Sequence, residues 1–321
     1  EVAKRIAKEN DIPHVFTNYK EMLEVNEIDI VDVCLPNSLH CVVTIDALNA
    51  GKHVYCEKPM ATSSQETHKM VETARKVNRK LAVQMSSLFN PASRGAKQIV
   101  DSGVLGEIYY AKVSHYQRRG RSFVDGFGTP IFVQKKHCGG GVLIDWGIYH
   151  LALILWLLGN PEVETVTAST FQEIDMDEKR RKEAKYDVEE MATGFIRLAG
   201  GMTLFMEEAW ATHTDKGEGL RVFGSKGGLH IDLGGSGGLR YFTDICGIEA
   251  DANLHTEAYY LRQEQLDEGS EGYTCPQKHF VWGVMGRIPM IDTAVIGMRV
   301  VEISDAMYES ARTRQEVVLG E

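Results

Sequence analysis

Two short apolar runs stopped by proline constrain the fold of this chain more than any other feature. Ile28 to Leu35 (IDIVDVCL) ends at Pro36-Asn37, and Val54-Tyr55-Cys56 ends in Glu57-Lys58-Pro59. Proline has no backbone N–H to continue a ladder, so each run reads as a short buried strand after which the chain must turn. Between them Leu39 to Ala50 has the pattern of a helix, closed by Gly51 in the left-handed position that favours glycine. Strand, helix and strand at this spacing make a βα unit. The rhythm extends in both directions: a helix to about Lys8, a short strand around His14 to Phe16, and a helix through Leu23 that Thr17 can cap. Further on come a helix to about Val77 with a Ser63/Glu66 capping box, a strand Leu81 to Met85, and a helix from Pro91 to Gly103. Such repetition predicts a parallel sheet covered on both faces.

After Gly106 the texture changes. Ile108 to Val113 is strand-like, a polar loop spans Arg118 to Thr129, and Gly139-Gly140-Gly141 leads into an almost wholly apolar helix closed by Gly159 and Pro161. Beyond it, strands follow one another with little helix between: Glu164 to Ser169, Thr193 to Leu198, Met202 to Trp210, Leu220 to Phe223 and Leu229 to Leu233. Ala199-Gly200-Gly201 and Ser225-Lys226-Gly227-Gly228 supply tight turns, so an antiparallel meander is expected. Residues 234–290 have little periodicity and receive no assignment. Thr293 to about Thr313 is a final amphipathic helix. The chain therefore reads as two domains, 1–104 and 105–321, of α/β class.

With 321 residues, each domain is large enough to bury a core without staples. A formal charge of −10 disfavours a sequence-independent nucleic-acid binder, which needs a basic surface. The six cysteines are widely spaced, with no CxxC pair, which suits reduced thiols in a cytoplasmic protein. The longest apolar stretch, Leu151 to Leu158, is far below the roughly 20 residues that span a bilayer, and no membrane partner is expected. The chain begins at Glu1, without an initiator Met and already in an amphipathic helix, so sequence upstream is expected.

Four groups of residues could carry chemistry. Lys58 would project a titratable ammonium into the crevice outside the carboxyl ends of the strands, where ligands sit in open parallel sheets; a solvated turn lysine fits the same three residues. At the end of the preceding strand, Pro36, Asn37 and His40 could face a nucleotide's ribose or phosphate, or Asn37 could simply cap a helix. Asp145, following the three glycines, could hold a substrate or only cap the apolar helix. Tyr149 lies four residues on and shares a helical face with Asp145, whereas His150 points roughly 140° away from it on an ideal helix. Either Tyr149 enters the site, or the helix starts after Gly147 and His150 swings in. Arg118 and Arg119, with Arg121, read as a solvated face or as contacts for an anionic or polyol substrate. His137, Cys138 and His150 match no zinc spacing, and no metal is expected.

The combination of Leu35-Pro36-Asn37 with His40, the run Ala50 to Val54 into Glu57-Lys58-Pro59, Ser102 to Ile108, and Gly139 to Gly147 resembles the glucose-fructose oxidoreductase and inositol dehydrogenase family (Gfo/Idh/MocA) over essentially the whole chain. This resemblance implies a Rossmann-type domain binding NAD or NADP, with Pro36, Asn37, His40, Glu57, Lys58 and Pro59 at the cofactor. It also implies a second α/β domain with a large open, mainly antiparallel sheet through which copies pair as a homo-oligomer. The implied activity is hydride transfer between nicotinamide and a secondary alcohol or ketone of a sugar, sugar derivative or cyclitol. Lys58 would contact the substrate hydroxyl and assist proton transfer, and Asp145 would orient the substrate. Two departures bear on this. The family's usual histidine four residues after the aspartate is here Tyr149, leaving Tyr149 or His150 as the acid/base. The expected opening strand, glycine-rich turn and helix do not appear, so the chain as given is expected to be a fragment that binds dinucleotide poorly. An NAD-dependent glycosidase working by transient oxidation and elimination, and a non-catalytic ligand sensor, are the alternatives on the same scaffold.

Overall fold

The computed structural model describes residues 1–233, 238–256 and 271–319. Three parallel strands, β1 (Ile30–Val33), β2 (His53–Cys56) and β3 (Leu81–Val83), form a sheet in the order β1-β2-β3. Helices α1 (Val2–Glu9), α2 (Tyr19–Leu23), α3 (His40–Asn49), α4 (Ser64–Lys76) and α5 (Pro91–Asp101) alternate with them. The caps explain the starts: Ser63 accepts from the Glu66 N–H, Asn90 accepts from Ser93 with Pro91 in the first turn, and Asn18, rather than Thr17, accepts from Lys20. The second layer on this sheet comes from the far end of the sequence. Helix Thr293–Thr313 packs on β3 and α4, with the Thr293 hydroxyl accepting from the Val83 N–H at 2.9 Å and Asp305 accepting from the Ser64 N–H at 2.7 Å. Helix Pro276–Val284 puts Phe280 against Tyr55 of β2, ring centroids 5.4 Å apart.

The second sheet has nine strands: β4 (Ile108–Tyr116), β5 (Val163–Phe171), β6 (Met191–Leu198), β7 (Met202–Ala209), β8 (Gly217–Gly224), β9 (Gly227–Asp232), β10 (Leu239–Ile245), β11 (Ile248–Leu254) and β12 (Val317–Val318). Their order is β11-β10-β9-β8-β4-β7-β6-β5-β12. The expected antiparallel meander is thus interrupted: β4 lies between β7 and β8 and pairs parallel with β7. A parallel pairing needs a long crossover, and the chain between β4 and β5 supplies it through the short helix α6 (Lys135–Cys138), a π-helical segment Leu143–Gly147 and α7 (Ile148–Leu157). The loop from β7 to β8, residues 210–216, consequently passes over the end of β4.

The sheet's inner face meets α7, of which eight residues are buried. Fully burying each Leu or Ile there contributes about 1.5–3 kcal/mol. By length and composition the helical run Lys135–Leu157 could cross a bilayer, yet 78% of its most apolar stretch is buried inside the protein. The structure departs from expectation at two further places. No strand forms at His14 to Phe16, because no neighbouring strand offers those N–H and C=O groups a ladder. The stretch left unassigned contains the β10–β11 hairpin around Cys246-Gly247 and two helices, Glu271–Thr274 and Pro276–Val284, while 234–237 and 257–270 lie outside the described residues.

Candidate active site

A cavity of about 260 Å³ opens where the two sheets meet, between the carboxyl ends of β1 and β2 on one side and the glycine turn on the other. Leu35, Asn37, Glu57, Lys58 and Pro59 form the first wall, and Cys138, Gly140, Ile144, Asp145 and Trp210 the second. Lys58 reaches across it. Its Nζ donates to the Asp145 backbone oxygen at 3.1 Å and to Asp145 Oδ1 at 3.2 Å, and lies 4.5 Å from the centre of the Tyr149 ring. The Lys58 side chain is only 16% exposed, so its attraction to the carboxylate is less screened than on an open surface.

Asp145 is fixed from two further sides. Trp210 Nε1 donates to its Oδ2 at 3.3 Å. Upstream, half-buried Glu189 accepts from the Gly141 N–H at 2.9 Å and the Leu143 N–H at 3.1 Å, and from the Tyr308 hydroxyl at 2.9 Å. Burial pushes the Glu189 carboxyl above its usual range, against the pull of those donors. Glycine is required at 141, where a Cβ would collide with the Glu189 backbone oxygen, and at 140, where it would collide with the Tyr308 hydroxyl. Asp145 itself sits in the π-helical segment, a departure from α geometry that recurs at functional sites.

Tyr149 and His150 separate. Tyr149 flanks Lys58, but His150 does not swing in. It is buried on the other side of α7, Nδ1 2.7 Å from Glu208 Oε1 and Nε2 3.0 Å from Glu218 Oε1. The helical phase decides this: α-helical geometry begins at Ile148, so consecutive residues diverge by about 100°. The expectation that His150 touches substrate is corrected accordingly. Burial disfavours its charge, yet the two carboxylates prevail and raise its pKa to about 10.

The cofactor-side residues also sort themselves. Asn37 lines the cavity and its Nδ2 donates to the Cys138 oxygen at 2.9 Å, tying the end of β1 to the glycine turn. Glu57 lines it as well, with Oε2 accepting from the Lys58 N–H at 3.2 Å. Pro36 is exposed and opens a short 3-10 turn. His40 differs from expectation: it is fully buried, its ring nitrogens 2.7 Å from the Pro59 oxygen and 2.8 Å from the Leu35 oxygen, so it braces the two strand-end loops and presents nothing to a ligand. Arg118 and Arg119 are exposed and line no part of this cavity, and Arg121 is buried between Asp125 and Glu190. The same polar loop does reach the cavity, through Ser122, with Phe132 beside it.

For a nicotinamide dinucleotide the fit is to one half. The apolar wall of Leu35, Pro59 and Ile144 beside the Lys58 ammonium suits a nicotinamide and its ribose. Among the described residues β1, β2 and β3 run into Cys34-Leu35-Pro36, Glu57-Lys58-Pro59 and Gln84-Met85 rather than into a glycine turn, and no seat for the phosphates is assigned.

Known proteins resemble this chain over both of its domains. Residues 1–85 match the oxidoreductase family with an NAD-binding Rossmann fold, and residues 93–230 match the GFO/IDH/MocA C-terminal domain. The D-glucoside 3-dehydrogenase of Escherichia coli (strain K12) is 31% identical over 99% of this chain and 87% of its own length. A levoglucosan dehydrogenase in complex with NADH and L-sorbose superposes with a TM-score of 0.84 at 21% identity, over 100% of this chain and 87% of that one. The aldose-aldose oxidoreductase of Caulobacter crescentus, complexed with glycerol, gives 0.73 at 26% identity over 98% and 88%. This chain belongs to the Gfo/Idh/MocA oxidoreductase family, an NAD-binding Rossmann domain joined to the family's C-terminal domain.

Proposed function

We propose that this protein transfers a hydride between NAD or NADP and a secondary alcohol or ketone of a sugar, sugar derivative or cyclitol. The observation that carries this reading is the Lys58 ammonium, held by Asp145 against the Tyr149 ring at the cavity where the two sheets meet. An ammonium has three N–H donors. Two are directed at Asp145, and the third is available to a substrate hydroxyl or carbonyl oxygen. Asp145 Oδ2, steadied by Trp210, accepts from a neighbouring hydroxyl of the same substrate, which fixes the carbinol carbon. A bound nicotinamide supplies the hydride acceptor or donor. Lys58 stabilises the oxygen as it loses its proton, and Tyr149 beside it is the acid/base candidate that the geometry favours over His150. The relatives named for a glucoside and for levoglucosan support a carbohydrate as substrate.

The test is to mix the purified protein with NAD or NADP and a panel of hexoses, glycosides, anhydrosugars and inositols, following NAD(P)H absorbance. Turnover with at least one polyol and a preference for one cofactor is the expected outcome. Release of free sugar from a glycoside with no net NADH would support the eliminating glycosidase instead, and ligand binding with no turnover would support a sensor. Two further readings belong to the same proposal. The outer face of the nine-stranded sheet, exposing Phe171, Phe195 and Arg197, is proposed to pair with a second copy, and a monomeric mass by light scattering would refute this. Six free cysteines support a cytoplasmic location, testable by fractionation.

A further inference from the structure

The most concentrated buried charge outside the cavity surrounds His150. Glu208 on β7, His115 on β4 and Glu218 on β8 sit side by side in register on the inner face of the sheet, His115 opposite Glu208 on one side and Glu218 on the other. His150 descends onto this row from α7, and Glu208, His115 and Glu218 are the titratable groups facing it among the described residues. His150 is 2% exposed and Glu208 fully buried, whereas Glu218 keeps 20% exposure at the rim. Apart from His150 and Tyr149, α7 is Ile, Leu, Ala and Trp. Aliphatic contacts of that kind are non-directional and single out no one roll of a helix. Two charge-assisted hydrogen bonds from opposite edges of one planar ring select one.

We propose that the His150 clamp is a positioning device: the imidazole ring held between Glu208 and Glu218 fixes the roll of α7 and thereby the seat of the neighbouring Tyr149 ring against the Lys58 ammonium. The inference rests on the oxidoreductase reading for its kinetic consequences, though not for its geometry. Tyr149 and His150 are adjacent on one rigid helix, so a rotation that loosens the His150 hydrogen bonds carries Tyr149 with it. His150 is a positioning residue and does not touch the substrate.

Glu218→Gln is the mild test, because Glu218 lies at the rim and the amide keeps its shape. Titration of His150 by NMR in the histidine-labelled full chain reads the clamp directly, and kcat against pH reads its effect on the site. The expected result is a His150 pKa at least one unit below wild type, an alkaline limb of kcat displaced downward by the same amount, and turnover within about two-fold of wild type below that limb. Crystal structures of the variant above the displaced pKa should place Lys58 Nζ clearly beyond 4.5 Å from the Tyr149 ring. His150→Gln should lower kcat about tenfold at every pH with little change in cofactor KM. If the His150 titration moves while both the kcat profile and the Lys58–Tyr149 separation stay as in wild type, the clamp serves stability alone and the proposal is overturned. Should wild type turn over no polyol at all, the oxidoreductase reading fails, and the crystallographic separation still decides the clamp.

Discussion

Tyr149 and His150 are neighbours in sequence on the same helix, and they occupy opposite chemical worlds. Tyr149 is partly exposed beside a lysine at a cavity, with a single carboxylate, Asp145, sharing that lysine. His150 is closed off from water between two carboxylates. In the first region the ammonium keeps an unfilled donor and room for a ligand; in the second both ring nitrogens are already engaged. Reactivity needs the former, because a group whose hydrogen bonds are all satisfied internally has none to offer a transition state. Burial with full pairing makes an anchor, and partial pairing beside a cavity makes a candidate catalyst.

The largest effects should break this contrast in kind. Lys58→Ala should lower kcat by about 10²–10⁴-fold, with Tyr149→Phe in the same direction, while neither shifts the thermal midpoint appreciably. Equal turnover in wild type and Lys58→Ala would remove Lys58 from the chemistry. Glu208→Ala should do the reverse first: it strands the buried His150 charge, costing about 3–5 kcal/mol of stability, visible as a Tm several degrees lower before any kinetic comparison.

The same contrast gives stability a pH dependence. The His150 pKa is raised in the folded protein to about 10 from an ordinary 6.5, so its stabilising contribution is complete below pH 6.5 and is lost as pH rises through 10. Burial works against the Glu208 charge, but the histidines hold its pKa below the ordinary 4.5, so its contribution is present above that value and fades as pH falls. Stability should therefore be highest between roughly pH 4.5 and 6.5 as far as this cluster is concerned, and decline towards pH 10 by an amount on the order of a few kcal/mol, read as a falling Tm. A His150→Gln variant whose Tm falls as steeply as wild type across pH 7–10 would detach that decline from His150.

Much of this was legible in the residues, and the remainder has physical causes. Proline-terminated runs located β1, β2 and the Lys58 turn because local backbone chemistry alone ends a strand there. The spacing of Asp145 and Tyr149 put those two on one face but left His150 open, because the start of the helix was not fixed by sequence; the helix does begin at Ile148, and what holds His150 away is its pairing with Glu208 and Glu218 on strands distant in sequence. The placement of β4 was not legible, since strand order depends on contacts distant in sequence. Trp210 as a partner of Asp145 follows from that hidden order, because the β7–β8 loop must cross β4. Glu208 did leave a signal. Leu204, Met206 and Glu208 alternate with period two along β7, as do Val113 and His115 on β4, which places an acid and a histidine on the core face where each needs a partner. His40 left none that distinguishes a brace from a ligand contact.

Two smaller effects sharpen the boundary of the active region. Trp210→Phe keeps the ring and deletes one 3.3 Å hydrogen bond to Asp145, worth about 1 kcal/mol, so kcat/KM should fall roughly five-fold with stability nearly unchanged. Arg119→Ala should change least. Its guanidinium is exposed, 3.3 Å from His213 Nε2 and outside the residues that line the Lys58 cavity, so an effect within about two-fold on kcat/KM for an uncharged polyol is expected. A neutral substrate and a carboxylated one should be compared in the same assay. If Arg119→Ala costs the carboxylated substrate tenfold or more and spares the neutral one, Arg119 belongs to the substrate site as Ser122 of the same loop does, and the open region of the contrast extends from Lys58 past Trp210 to the end of β4.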